Sequence, residues 1–395
     1  MPAYLLAMNG SAVLLTRRQV VAFRVARHGL VERLGPDGAQ AAAVVGLQDT
    51  PPGTAGVALS ARADVAPEAL DELVLVPSVR GAPLAVAEWD LGVFTAGLEP
   101  PDEEAAKAVI GNAWRSLDGT TAMEALDRVS EAVYESLRDG PRPRDDFHQA
   151  LRERLPKELL WWCKGCGSHH VHPSLWRASG IRGVIAIVGR EGRSAVFGLP
   201  PNARTVEDPG AELARRFLRA YGPARPKLLA GWAGLATSHA TALWERAGPV
   251  DLDGKKAWAL ADDRRALADA RPPDGVRLLA NLDPLNASCD RELLVPDPGV
   301  RKRVWTALGG PGTGRDAAPA DAQERRARPH QDHPQRRRRR EHVVVEVRGR
   351  REDGGGALRP NARGVRRAAL RAPARPPYGA APQLGPAPVV PGPGA

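Results

Sequence analysis

Leu137-Arg138-Asp139-Gly140-Pro141-Arg142-Pro143 and, further along, Leu218-Arg219-Ala220-Tyr221-Gly222-Pro223-Ala224-Arg225-Pro226 are two versions of one turn. Each follows a stretch of apolar residues at helical spacing. Each leads through a second proline into another helical stretch, since proline suits a first turn whose N–H groups lack partners anyway. Working outward, residues from about Ala122 to Leu199 read as helix, Gly-Pro turn, helix, helix and strand pair. The strands are Val184-Ile185-Ala186-Ile187-Val188 and Ala195-Val196-Phe197, joined by a turn from Gly189 to Arg193. The same order recurs from about Ala211 to Leu260, with Asp253-Gly254 as the hairpin turn.

A third, more divergent version precedes them. Thr16 is a helix N-cap before Val20, Val21, Phe23, Val25 and Leu30, and a further helix is expected over Thr54 to Ala63. Leu73 to Val79 then reads as a strand paired through Arg80-Gly81 with Pro83 to Ala87. Three helices closed by a two-stranded wing make a winged helix-turn-helix, whose third helix commonly enters a DNA groove. The fold class expected is therefore α+β. Tandem winged-helix domains span residues 12–100, 103–205 and 208–265, a partial β-rich C-terminal region spans 275–311, and a tail spans 312–395. Duplex DNA is the partner such an array implies.

Composition sharpens where charge can act. The 395 residues carry a formal net charge of +10, and the whole excess lies in residues 312–395, with 18 Arg, no Lys and 8 acidic residues. That tail is dominated by Arg, Pro, Ala and Gly, so it cannot bury enough apolar surface to offset its ordering entropy and reads as disordered. A shifted reading frame in a GC-rich gene yields the same composition. In residues 1–311 the 38 basic and 38 acidic side chains cancel, so any footprint for nucleic acid must come from local clusters. The clusters are Arg17, Arg18, Arg24, Arg27 and Arg33, then Arg177, Arg182, Arg190 and Arg193, then Lys255 and Lys256, and Arg80 stands apart from them at a hairpin tip. Three cysteines argue against a disulfide framework, and no apolar run reaches membrane-spanning length. A cytoplasmic monomer is expected.

Several separated words carry a more specific likeness. Thr16-Arg17-Arg18-Gln19-Val20, Gly46-Leu47-Gln48-Asp49-Thr50-Pro51, Val79-Arg80-Gly81-Ala82-Pro83, Cys163-Lys164-Gly165-Cys166-Gly167-Ser168-His169-His170 and Asp290-Arg291-Glu292-Leu293-Leu294-Val295-Pro296-Asp297 occur in one order. In them the chain resembles, over residues 12–310, the bacterial winged-helix DNA-binding proteins that include the AlkZ-type DNA glycosylases. The resemblance implies tandem winged-helix domains in a C shape around DNA and a small β-rich closing domain. It also implies hydrolysis of the N-glycosidic bond of alkylated purines.

The same resemblance implies a Gln-x-Gln or Gln-x-Asp pair that places a water against the anomeric carbon. The chemistry is reasonable: an N7-alkylated purine is already a good leaving group, and an amide can hold water without ionising. Here Gln48 takes the first position and Thr50 the third, and Asp49 between them is expected to face the other way. A Thr hydroxyl reaches less far and is no base near neutral pH. Where the family often carries a His, this chain has Leu84. Two readings stand: a monofunctional DNA glycosylase using Gln48 and Thr50, with Arg80 positioning the strand, and a DNA-binding or regulatory protein without that activity.

Cys163, Cys166, His169 and His172 have the ligand types of a zinc site, but the usual spacer between ligand pairs is missing. The alternative is a loop whose thiols pack under Trp161 and Trp162. Apart from that zinc, no cofactor is implied. Trp176, Trp232, Trp244 and Trp305 stand at helical spacings and are expected in the core.

Overall fold

Thr16 opens the first helix through a reciprocal cap. Its hydroxyl accepts from Gln19 N at 3.2 Å, while Gln19 Oε1 accepts from Thr16 N at 2.9 Å, so two N–H groups that a helix start leaves unpaired are satisfied. The helix, α1 (Arg17–Arg27), stops where Gly29 takes φ 66° and Leu30 N returns to Val25 O at 3.1 Å. Before it, strands β1 (Tyr4–Met8) and β2 (Ser11–Leu15) pair antiparallel. The computed structural model describes residues 4–8, 11–163, 167–192, 194–252, 257–280, 282–287, 290–305 and 343–346.

Beyond α1 one path recurs. Helix α2 (Ala39–Ala42) leads to β3 (Leu47–Gln48), α3 (Thr54–Arg62), a 3₁₀ turn at Pro67–Glu72 and the hairpin β4 (Leu73–Pro77) and β5 (Pro83–Ala87). After α4 (Leu91–Phe94) and α5 (Glu103–Ile110) the path repeats as α6 (Ala122–Leu137), β6 (Arg142–Pro143) and α7 (Arg144–Arg154). An extra hairpin follows, β7 (Leu160–Cys163) and β8 (Ser168–Val171). Then come α8 (Pro173–Ala178) and the hairpin β9 (Ala186–Glu191) and β10 (Ser194–Gly198). The last pass is α9 (Pro209–Tyr221), α10 (Pro226–Ala233), α11 (Thr237–Ala247), β11 (Val250–Asp251) and β12 (Trp258–Ala259).

In every pass a residue beyond the first helix pairs with the last strand of the hairpin: Gln48 with Leu84, Pro143 with Val196, and Ala224 with Trp258. The two Gly-Pro turns therefore do more than reverse the chain. Each delivers an extended residue to a sheet edge before the next helix begins. The residues at 253–256, where a hairpin turn is expected, lie outside the described residues.

The C-terminal segment adds α12 (Arg264–Asp269), β13 (Val276–Leu279), α13 (Arg291–Leu294) and α14 (Pro298–Val304). Strand β14 (Val343–Glu346) pairs antiparallel with β13. It is the part of residues 312–395 that the structure describes; the remainder of the expected tail lies outside the described residues.

The passes share one apolar core running from Val45 to Leu260, to which α6 gives Leu126, Val129 and Val133 and α9 gives Leu213, Phe217 and Tyr221. Burying each such side chain contributes about 1.5–3 kcal/mol. Trp176, Trp232 and Trp244 lie within it, as their spacing predicts. Buried ion pairs fix how the passes meet. Arg216 on α9 makes a bidentate contact of 2.5 and 2.7 Å with Asp90, next to α4. Arg62 on α3 grips Asp283 at 2.7 and 2.8 Å. Arg24 on α1 donates to Gly222 O, Pro223 O and Asp290 Oδ1. Among the described residues no helix is long and apolar enough to cross a membrane.

Candidate functional site

Gly46 sets the position of β3. Its φ is 72°, and a Cβ there would collide with the Leu84 side chain, so only glycine lets β3 lie against β5. Gln48, opposite Leu84, is consequently buried at 7% exposure. Its carbonyl accepts from Thr54 Oγ1 at 3.0 Å, and its Oε1 faces Arg80 Nη2 at 3.5 Å, a long contact. Asp49 is fully engaged. Oδ1 accepts from Gly53 N at 2.6 Å and Ala55 N at 3.2 Å at the start of α3, and Oδ2 accepts from Arg190 Nη2 on β9 at 2.8 Å. Asp49 thus caps one helix with one oxygen and holds a distant hairpin with the other. Thr50 is exposed at the rim.

Arg80 joins β4 to β5 with φ 58° and ψ 22°, the left-handed region in which a side chain costs roughly 1–2 kcal/mol. The tip does not project into solvent as its hairpin position suggests. Arg80 Nη1 donates to Trp232 O at 2.6 Å, which brings the guanidinium in beside Gln48 and offsets the strain.

These residues form one wall of a cleft of about 810 Å³. The same cleft is lined by Arg144, His148 and Arg152 from α7, His170 from β8, Arg177 from α8 and Arg190 from β9. Asp49 and Asp145 also line it, so arginines outnumber carboxylates and the cleft is positive. Burial, reinforced by Arg144, His170 and Arg152, lowers His148 to about 4. Its ring packs edge-on against Trp176 with centroids 5.7 Å apart.

A second ring, His28, is buried at 4% exposure and pushed well below its ordinary value by burial and then by Arg62 and Arg24. Both rings stay neutral in the fold, whereas the unfolded chain takes up protons near pH 6.5. Above that pH they leave stability unchanged. As pH falls from 6.5 towards 4, each ring subtracts up to about 1.4 kcal/mol per unit. Melting temperatures therefore fall between pH 6.5 and 5, and His148→Gln makes the fall shallower; an unaltered slope in that variant removes His148 from the account.

Gln48, Thr50, Arg80, Arg177 and Arg190, singled out from the sequence, converge on this cleft. Others go elsewhere. Arg17 donates to Leu293 O and Leu294 O, both at 2.7 Å, and Arg182 pairs with Asp127 at 2.7 Å and Glu99 at 3.0 Å. Arg18 is exposed on α1, outside the cleft lining. Arg193 and Cys166 lie outside the described residues.

Strands β7 and β8 pair antiparallel across residues 164–166, which lie outside the described residues together with the Cys166 thiol. Trp162 is opposite His169, and Cys163 is opposite Ser168. Strand alternation puts Cys163 and His169 on opposite faces, and His172 accepts from Ser174 N at 3.2 Å at the start of α8. Among the described residues no three His, Cys, Asp or Glu side chains group to hold a metal. Sequence reasoning missed Asp49, Arg144, His148, Arg152 and His170. For the three on α7 the signal was present, an i, i+4, i+8 series.

Comparison with known proteins gives a family and a fold. A family model described as DNA glycosylase AlkZ-like matches residues 41–320. The solved structure of the Streptomyces sahachiroi DNA glycosylase AlkZ superposes with a TM-score of 0.58 and 22% identity, covering 74% of this chain and 82% of that one. At that identity the likeness establishes the fold. No curated protein matches the chain.

Proposed function

The chain belongs to the AlkZ-like DNA glycosylase family, and on that premise we propose that it is a monofunctional glycosylase that removes an N7-alkylated purine from duplex DNA. We also propose that its three passes are tandem winged-helix units. The recurrent pairing of an inter-helix residue with the last hairpin strand supports that reading, since this is how a winged helix closes its sheet.

One observation carries the functional proposal: Gln48 and Thr50 lie together on the wall of an arginine-lined cleft. Gln48 holds the attacking water through its amide, whose orientation Arg80 sets at Oε1. The water oxygen bonds to C1′ of the sugar as the C1′–N9 bond breaks. The departing electron pair neutralises the alkylated purine, and the water proton leaves to solvent through the open cleft. Because the leaving group is cationic beforehand, positioning supplies most of what is required. Thr50 offers the same water a second contact, through its hydroxyl.

The test is base release from a duplex containing N7-methylguanine. Wild-type protein releases the base, and Gln48→Ala slows release roughly tenfold to a hundredfold while duplex affinity is unchanged. Duplex binding with no release by the wild type would instead fit a DNA-binding protein without activity, the reading that the short Thr50 side chain favours.

A further inference from the structure

Among the cleft arginines, those with partners differ from those without. Arg190 is held by Asp49, and Arg80 is tied to Trp232 O and Gln48. Arg144 and Arg152 on α7 are exposed and line the cleft, yet make no hydrogen bond or ion pair among the described residues. An exposed guanidinium paired inside the protein must give up that partner to bind an external anion. An unpaired one need not.

The two sit on one face of the same helix. Arg144, His148 and Arg152 recur every fourth residue towards the cleft, while Phe147, Ala150 and Leu151 bury the other face. Eight residues of helix separate the outer pair by about 12 Å. Phosphates recur every 3.4 Å or so of duplex axis and lie further apart along the winding strand itself, so that distance lets the two guanidinium groups reach different phosphates of one strand. Between the arginines, His148 is neutral, because burial and the flanking arginines lower it to about 4. It presents a ring that needs no counter-charge. Asp145 shares the wall in the first turn of α7 but forms no ion pair with Arg144 among the described residues.

Helix α8, the third helix of the same unit, is less suited to the task. It has six residues, buries Leu175 and Trp176, and offers the cleft Arg177, whose guanidinium lies 5.3 Å from the centroid of the Trp176 ring.

We propose that α7, the second helix of this unit, grips the phosphodiester backbone of one DNA strand through Arg144 and Arg152. This rests on the duplex-DNA reading above and adds the element that holds the strand. Arg144 and Arg152 line the same cleft as Gln48, so a backbone held on α7 lies in the cleft where the sugar meets the amide.

The test is the affinity of the full chain for an undamaged fluorescent duplex over a series of salt concentrations. Replacing both arginines (Arg144→Ala with Arg152→Ala) weakens binding at least tenfold at low salt. It also lowers the slope of log affinity against log salt by about two, near 0.9 for each phosphate no longer neutralised. Arg144→Lys with Arg152→Lys restores most of the slope, because the charge is kept. Arg265→Ala, on α12 with 90% of its side chain exposed, changes neither quantity. Both arginines are exposed, so matched melting temperatures confirm that the variants fold. If the double alanine variant keeps the wild-type affinity and slope, the assignment to α7 is wrong and the glycosylase reading stands. A wild-type chain without duplex affinity ends both.

Discussion

Asp283→Ala lowers the unfolding free energy by about 3–5 kcal/mol, read as a shift in the urea midpoint at constant slope. Asp283 is 0% exposed, and its partner Arg62 is 1% exposed. The carboxylate accepts both guanidinium nitrogens and also Leu285 N at 2.9 Å. Removing it strands a buried cation that keeps, among the described residues, the Ala58 carbonyl 2.8 Å from Nη1. His28, already disfavoured as a cation by Arg62, gives no relief. The pair also ties α3 to the turn after β13, so the C-terminal segment loosens with it. Replacing both partners by apolar residues, as in Arg62→Met with Asp283→Leu, costs far less, because no charge is left uncompensated. The exposed pair Arg33 and Asp64, 3.2 Å apart, provides the contrast, and its removal shifts stability by less than about 1 kcal/mol. An Asp283→Ala loss of that small size would mean that water reaches Arg62.

Elements with a local cause were legible in the sequence. Thr16 with Gln19 announces α1, Leu73 to Ala87 carries two short apolar runs around Arg80-Gly81 as a buried hairpin does, and the Gly-Pro turns mark where helices break. The site was legible only in part. Gln48, Thr50, Arg80, Arg177 and Arg190 come from separated stretches and meet because three-stranded sheets of like order bring them together.

Tertiary contacts decided the remainder. Nothing local says that Arg17 reaches the carbonyls of Leu293 and Leu294, or that Arg182 reaches Asp127. The hairpin from Leu160 to Val171 was obscured by its own chemistry. Read as metal ligands, Cys163 and His169 look like neighbours, while the tryptophans and Val171 favour strands that turn them apart. The α7 series was visible as spacing, but the neighbouring Gly-Pro turn is the stronger local signal. What spacing alone could not supply is that Phe147 and Leu151 face inward, which leaves Arg144 and Arg152 facing the cleft.

Asp49→Ala slows base release by about a hundredfold, comparable with or beyond loss of Gln48 itself, although Asp49 need not touch the reacting atoms. The expectation follows from what each oxygen holds. Oδ1 fixes Gly53 N and Ala55 N, so the first turn of α3 is pinned under the chain that carries Gln48 and Thr50. Thr54, in that turn, donates to the Gln48 carbonyl and so transmits any shift directly to it. Oδ2 holds Arg190, which keeps β9 against the same loop. Truncation leaves two N–H groups and a guanidinium without their acceptor, about 1.5–3 kcal/mol of stability for the charged contact alone. A displacement near 1 Å at Gln48 is enough for the rate effect. Asp49→Asn separates the two roles. Its amide oxygen still accepts from Gly53 and Ala55, but its pull on Arg190 loses the charge. The amide variant therefore keeps most of the melting temperature and recovers part of the release rate, whereas Arg190→Ala loses rate and also about 1.5–3 kcal/mol of stability, because the Asp49 carboxylate, 4% exposed, is left without its cation. Single-turnover release on an N7-methylguanine duplex, read beside thermal melts, distinguishes the three variants. Wild-type release by Asp49→Ala would mean that the loop holds its shape without the carboxylate.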